Sequence, residues 1–431
     1  MKVAVMGLWH LGSVTAACLA DLGHQVVGID PDAAVIDGLM RAVAPVFEPG
    51  LAELIAQGLG RDRLRFTSDV ARAGDSEILW VTFDTPVDEN DVADVDMVVD
   101  RVKAILPYLA QKTLVLISSQ VPVGTTRGLI RHAEAIGRAD LGFGCAPENL
   151  RLGKAIDVFL KPDRIVVGLQ HADDRSRIEA LLSVLSAPIE FMSIESAEVT
   201  KHAINAFLAM SVAYANEIAA VCEATGADAR QVTRGLRTEA RIGSKAYVAP
   251  GPAFAGGTLA RDIAFLSGIG ETKAIGLKLL PSVAVSNDAH KSWALRSLRH
   301  ALKTMEGRRI AVLGLTYKAG TDTLRRSWAV ELVRALLEAG ADVVAHDPVV
   351  TSVPHDLPLA LAASVELVLK GADAAVVATE WPQFQSVDWP AAVKSMRCQI
   401  VVDPYGMIGD ALERAPDVAY LRVGYRSQSA G

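Results

Sequence analysis

Residues 2–30 read KVAVMGLWHLGSVTAACLADLGHQVVGID. Lys2–Met6 is a short β-type run, and a glycine turn, Gly7-Leu8-Trp9-His10-Leu11-Gly12, opens a helical pattern that continues to Leu22. Gly23 ends the helix, and a second β-type run, Gln25–Ile29, closes on Asp30. Strand, glycine turn, helix, strand and terminal acid make a βαβ unit of the dinucleotide-binding kind. Its glycines serve the tight turn, the approach to a pyrophosphate and helix–strand packing. Trp9 stands where the middle glycine is usual, so a Cβ is present beside the phosphate position. Asp30 suits a ribose 2′-hydroxyl and repels a 2′-phosphate, which favours NAD over NADP.

Working outward, further β-type runs occur at Ile78–Thr82, Leu114–Ser118 and Ile165–Gly168. The first two end in Asp84-Thr85-Pro86 and in Ser119-Gln120-Val121-Pro122-Val123-Gly124, and Cys145–Arg151 reads as another loop. In an open parallel sheet, ligands bind at such carboxyl ends. Glu195–Thr225 and Ile263–Leu302 have long helical patterns, and two long apolar helices in mid-chain suit a hinge and a dimer interface. Lys201 and Asn205 are four apart and share a helix face. Between these helices lies PGPAFAGGTLARD, residues 250–262, read as a loop because Gly and Pro at this density stop regular structure. Lys303–Arg309 is a charged linker. It leads into a second α/β pattern: strands Ile310–Leu313, Val343–His346, Ala374–Ala378 and Ile400–Val402, and a helix Ser327–Ala339. Ser427–Gly431 reads as a frayed tail.

The 431 residues exceed what one core usually serves, and 51% hydrophobic with 22% charged residues is a soluble globular composition. A net charge of −7 and a pI of about 5.8 disfavour a nucleic-acid surface. Cys18, Cys145, Cys222 and Cys398 are scattered without metal-ligand spacing, so no metal is expected and a reducing cytoplasm suits the chain. The N-terminus superficially resembles a signal peptide, yet it runs without a break into the βαβ pattern and is read as part of the fold. No apolar run is read as long enough to cross a membrane, and no membrane association is expected.

Taken in order, these motifs resemble the UDP-glucose/GDP-mannose dehydrogenase family, the nucleotide-sugar 6-dehydrogenases. Asp84-Thr85-Pro86 is similar to the family's Thr-Pro loop, Val121–Gly124 to its VPVG turn, and Pro147-Glu148 through Ala155 with Pro162–Ile165 to its substrate segment. Lys201–Phe207 resembles the KxxxNAF helix, Arg241-Ile242-Gly243 the RIG turn, and Gly314–Lys318 with Thr321-Asp322 and Arg325–Ser327 the UDP-binding loop. The resemblance implies an α/β fold in three parts. These are an N-terminal NAD-binding Rossmann domain (1–194), a central helical dimerisation core (195–302) and a C-terminal Rossmann-like UDP-binding domain (303–431). It implies NAD as cofactor, a nucleotide sugar as substrate, with UDP first and GDP open, and a homodimer.

Carried over residue by residue, the cofactor set is Gly7, Trp9, His10, Leu11, Gly12, Asp30, Thr85, Gln120, Arg261 and Arg325. The substrate set is Glu148, Asn149, Leu150, Arg151, Leu152, Arg241, Tyr247, Gly251, Phe254, Gly257 and Lys318. Glu148, Lys201, Asn205, Thr258 and Asp262 are implied for catalysis. Family members oxidise the sugar C6 alcohol to an acid with two NAD, through a cysteine thioester. Here Phe254 and Asp262 set a register that places Thr258 at the nucleophile, and a threonine hydroxyl with no adjacent base forms no thiohemiacetal. Gln120 stands for the family's threonine before VPVG, and Leu152 for a second glutamate. Three readings stay open: a dehydrogenase limited to one two-electron step or a redox-neutral cycle; a full 6-dehydrogenase working through the aldehyde hydrate; and a catalytically silent nucleotide-sugar binder. Cys145 is a candidate displaced nucleophile.

Overall fold

The computed structural model describes residues 1–86, 93–148, 150–255, 257–412, 415 and 417–426. The tail Ser427–Gly431, Asn149 and Gly256 therefore lie outside the described residues. The chain divides into two compact units, Met1–Ile204 and Asn205–Gly431.

The first unit is built on β1 (Lys2–Met6), β2 (Gln25–Ile29), β3 (Leu64–Thr67), β4 (Ile78–Val81), β5 (Leu114–Ile117), β6 (Gly142–Cys145), β7 (Ile165–Leu169) and β8 (Ile189–Met192). They form one sheet in the order β3-β2-β1-β4-β5-β6-β7-β8, parallel except for the β6–β7 pair. Alternate residues of one strand serve opposite faces. Val3, Val5, Leu114 and Leu116 pack into one apolar cluster and Ala4, Met6, Val115 and Ile117 into another. A sheet covered on both faces reads as continuous apolar runs, which is why β4 and β5 are legible in the sequence and fully buried in the fold. The N-terminal segment that resembles a signal peptide is β1 and the helix His10–Asp21 beneath it.

The second unit carries β9 (Arg309–Leu313), β10 (Asp342–His346), β11 (Ala360–Leu361), β12 (Ala374–Val377), β13 (Ile400–Val402), β14 (Ala419–Arg422) and β15 (Tyr425–Arg426). The order is β11-β10-β9-β12-β13-β14-β15, with only the β14–β15 pair antiparallel. The first six strands thus repeat the arrangement of β3-β2-β1-β4-β5-β6. Ile310 and Val312 face one core cluster, Ala311 and Leu313 the other. The Rossmann-type α/β architecture expected of each end of the chain is present, with a core on both faces of each sheet.

Four expectations need correction. The helix after the glycine loop starts at Thr258, not after Asp262: Gly257 turns with φ +101° and accepts the Arg261 N–H, closing the first turn. The pattern read as one helix to Leu302 is three, Thr258–Thr272, Leu279–Lys291 and Trp293–Leu302. Ala274, at φ +54°, breaks the first from the second, and Pro281 sits in the second's first turn, where proline is tolerated. Cys145 ends β6 rather than opening a loop. Finally, the helix Ile194–Thr225 does contain an 18-residue window of mean hydropathy 1.3, long and apolar enough to cross a membrane by length and composition. Its buried Glu198, His202, Asn205 and Asn216 are hydrogen bonded to protein groups, which is core-helix behaviour.

Candidate active site

In the first unit the glycine turn is built by steric necessity. Gly7 has φ +93°, and a Cβ there would stand 2.7 Å from the Phe83 backbone nitrogen. A Cβ at Gly12 would collide with the Gly7 carbonyl, so this residue type lets helix and strand meet. Trp9 needs no such freedom. Its φ is −71°, it precedes the helix His10–Asp21, and its indole is half exposed, so the middle position accepts a side chain without strain. Leu11 is buried beneath the turn. The helix presents its unpartnered first N–H groups there, the usual place for a phosphate. Asp30 is buried and its carboxylate accepts the Leu8 N–H at 2.7 Å and the Asp32 N–H at 3.0 Å. Two of about four acceptor positions on a carboxylate remain for a sugar hydroxyl pair. The residues present fit a dinucleotide.

His10 donates or accepts at 2.9 Å with Glu48, a buried carboxylate that also takes the Gly153 and Ala155 N–H groups. Glu48 thereby ties the glycine turn to the segment after Glu148. Thr85 Oγ1 donates to the Gln120 carbonyl at 2.7 Å, joining the two predicted cofactor loops. Glu198 accepts the Gly124 and Thr126 N–H groups at the start of the helix Thr125–Ala135, and His202 meets the Val121 carbonyl at 3.1 Å. Lys201, half-buried between them in sequence, donates through Nζ to the Glu148 carbonyl at 2.5 Å. The Glu148 carboxylate folds back onto the Leu150 N–H. Leu152 is half-buried and Arg151 exposed.

In the second unit Asp262 is fully buried one turn into its helix, and Asn205 donates to it at 2.5 Å. Thr258, at the first position of that helix, is exposed. The loop before it is clamped from two helices. Asn216 accepts the Gly251 N–H at 3.0 Å, and His290 donates to the Gly251 carbonyl at 2.9 Å. Asn287 accepts the Phe254 N–H and donates to the Phe254 carbonyl, both at 2.9 Å. Burial holds the His290 imidazole below its ordinary range, which keeps it neutral at neutral pH. Arg326, in the left-handed region at φ +60°, brings its guanidinium to Gly257. Arg261 and Lys318 are half-buried, whereas Arg325, Tyr247 and Arg241 are exposed, Arg241 paired with Glu239 at 2.9 Å.

Glu48, Glu198, His202, Asn216, Asn287, His290 and Arg326 were not singled out from the sequence. The signal was partly present. Glu198, Lys201, His202 and Asn205 fall at i, i+3, i+4 and i+7 on an otherwise apolar helix, which marks one polar face. Asn287 and His290 are likewise three apart. Cys145 is no substitute nucleophile: it is buried, and burial with the nearby Glu198 drives its thiol far above the ordinary range. Burial raises Cys18 to about 12 and raises Cys222 as well.

Three domain descriptions of one family cover the chain: the NAD binding domain matches residues 1–186, the central domain 195–289 and the UDP binding domain 311–410. The chain belongs to the UDP-glucose/GDP-mannose dehydrogenase family. It is similar to the UDP-glucose 6-dehydrogenase of Rhizobium meliloti, 35% identical over 416 residues covering 94% of each chain. The UDP-glucose 6-dehydrogenase of Haloferax volcanii is 35% identical over 418 residues, covering 94% of this chain and 96% of that one. The solved structure of a UDP-glucose dehydrogenase from Pyrobaculum islandicum superposes with a TM-score of 0.87 at 30% identity, covering 98% of each chain. As a member of this family the protein is an NAD-dependent nucleotide-sugar dehydrogenase-type oxidoreductase, and NAD is its cofactor.

Proposed function

We propose that the protein oxidises an alcohol carbon of a nucleotide sugar, a UDP-sugar first, by one two-electron step or a redox-neutral cycle, and does not proceed to an acid. The observation that carries this reading is Thr258 at the start of its helix, one turn before the buried Asp262 that Asn205 holds. NAD, when bound, supplies the hydride acceptor. The chain's own groups do the rest. Gly7, Gly12, Asp30 and the helix at His10 hold the cofactor. Lys201, steadied by the Glu148 carbonyl, favours the alkoxide as the hydroxyl proton leaves through water. Within the second unit, Asn205 fixes the orientation of the Asp262 carboxylate. The oxidation then stops at the aldehyde, because a threonine hydroxyl without a base adds no covalent sulfur chemistry. The names of the Rhizobium meliloti and Haloferax volcanii relatives, UDP-glucose 6-dehydrogenase, support the substrate class. Phe207, Tyr214 and Val221, exposed at seven-residue spacing on one helix, support a homodimer.

The test is incubation of the full chain with NAD and a panel of UDP- and GDP-sugars, with hydroxylamine present and product masses recorded. A trapped carbonyl supports the reading, and a uronic acid in place of the trapped carbonyl overturns it. Thr258→Cys sharpens it: acid product rises from none to a detectable share of turnover if the rest of the site supports a second oxidation. Retention of the aldehyde there assigns the block to Gln120 and Leu152 as well.

A further inference from the structure

The helix Ala229–Thr238 places Arg230, Thr233, Arg234 and Arg237 at i, i+3, i+4 and i+7, so that one face carries three guanidiniums. This face lines a cleft of about 270 Å³ together with Ala249, Pro250, the segment Pro404–Gly406, Arg422 and Val423. No acidic residue is among the lining residues, and four arginines are. Two neighbouring carboxylates, Asp228 and Asp403, are already engaged, and Glu380 acts on the lining residue Tyr405 from earlier in the chain. Asp228 accepts from Arg422 and from the Arg230 N–H, both at 2.8 Å. Asp403 accepts the Gly406 and Ile408 N–H groups and the Tyr420 hydroxyl. The Arg230 guanidinium donates to the Gly406 carbonyl, and Arg237 donates to the Ala246 carbonyl. Among the described residues Arg234 and Arg237 have no carboxylate partner. Like charges gathered in one concavity repel, and an oxyanion that several guanidiniums can grip at once offsets that repulsion.

The position also suits a ligand. Pro404–Gly406 follows the carboxyl end of β13, and Arg422 is the last residue of the parallel neighbour β14. Ligands of open α/β sheets gather at such ends. The strand order reverses between β9 and β12, so this cleft, at β13 and β14, is a different crevice from the one at the switch point. From these observations we propose that the cleft is a second anion site, which takes a small phosphate-bearing molecule through Arg230, Arg234, Arg237 and Arg422. Its wall at Ala249–Pro250 leads directly into Gly251, so occupancy steadies the start of the clamped loop.

Calorimetric titration of the full chain with inorganic pyrophosphate, without turnover, tests the site separately from the dehydrogenase reading. We expect saturable binding that weakens at least about tenfold in R234A/R237A. These two arginines are exposed, so the fold survives their removal, checked by an unchanged melting temperature. Arg72→Ala, an exposed arginine elsewhere, leaves the titration unchanged, and a saturating UDP-sugar does not displace pyrophosphate. Absence of binding, equal binding in R234A/R237A, equal loss in Arg72→Ala, or displacement by the UDP-sugar would each overturn the proposal.

Discussion

In the first unit β1 passes through Gly7 and Leu8 straight into the helix His10–Asp21, and Asp30 at the end of β2 accepts two backbone N–H groups. In the second unit β9 passes through Gly314 and Leu315 in the same way. Gly314 has φ +91°, and a Cβ there would stand 2.7 Å from the Thr379 nitrogen, as one at Gly7 would from Phe83. Asp347 at the end of β10 corresponds to Asp30. Beyond this point the two part. Residues 314–327 intervene before the helix Trp328–Glu338, so no helix N-terminus follows the turn. Asp347 accepts Leu315, Thr316, Val349 and Val350 N–H groups and the Trp381 indole N–H. Five donors exhaust a carboxylate with about four lone-pair positions, whereas two leave room. The same fold element thus keeps carboxylate lone pairs open in one unit and uses them all for internal structure in the other.

Asp347→Ala strands five donors in the interior and is the largest expected effect, a loss of about 3 kcal/mol or more of stability, read by chemical denaturation. NAD affinity of the folded protein stays as it was. A stability loss no greater than that of Asp30→Ala would break the comparison. Asp30→Ala costs about 1–2 kcal/mol of stability for its two N–H groups, and NAD affinity falls about 10–100-fold, measured by calorimetry. Unchanged NAD binding would remove the receptor half of the contrast. Smallest is Trp9→Gly. Because Trp9 already has an ordinary φ, the change in NAD Kd stays below about threefold, and a larger gain would show that its side chain holds the pyrophosphate off.

Both sheets were legible in part because buried parallel strands are continuous apolar runs, and the fingerprint around Gly7, Gly12 and Asp30 is local in sequence. Short or weakly apolar strands such as β3, β6, β8 and β14 do not announce themselves. β6 is Gly-Phe-Gly-Cys, and its burial comes from neighbours rather than its own pattern. The loop clamp was illegible for a different reason. Asn216, Asn287 and His290 act on backbone groups 33–39 positions away, and polar residues on helices read as solvent-facing until the fold closes over them. Thr258, expected in the loop, opens the helix instead, since one left-handed glycine starts the helix earlier than composition implies.

The proposed reaction stops after a single oxidation. Its most direct measurement is the amount of NADH formed per nucleotide sugar consumed, followed by absorbance in the full chain. No more than one NADH per sugar, and no acid, is expected. Two NADH per sugar, with a uronic acid as product, would contradict it.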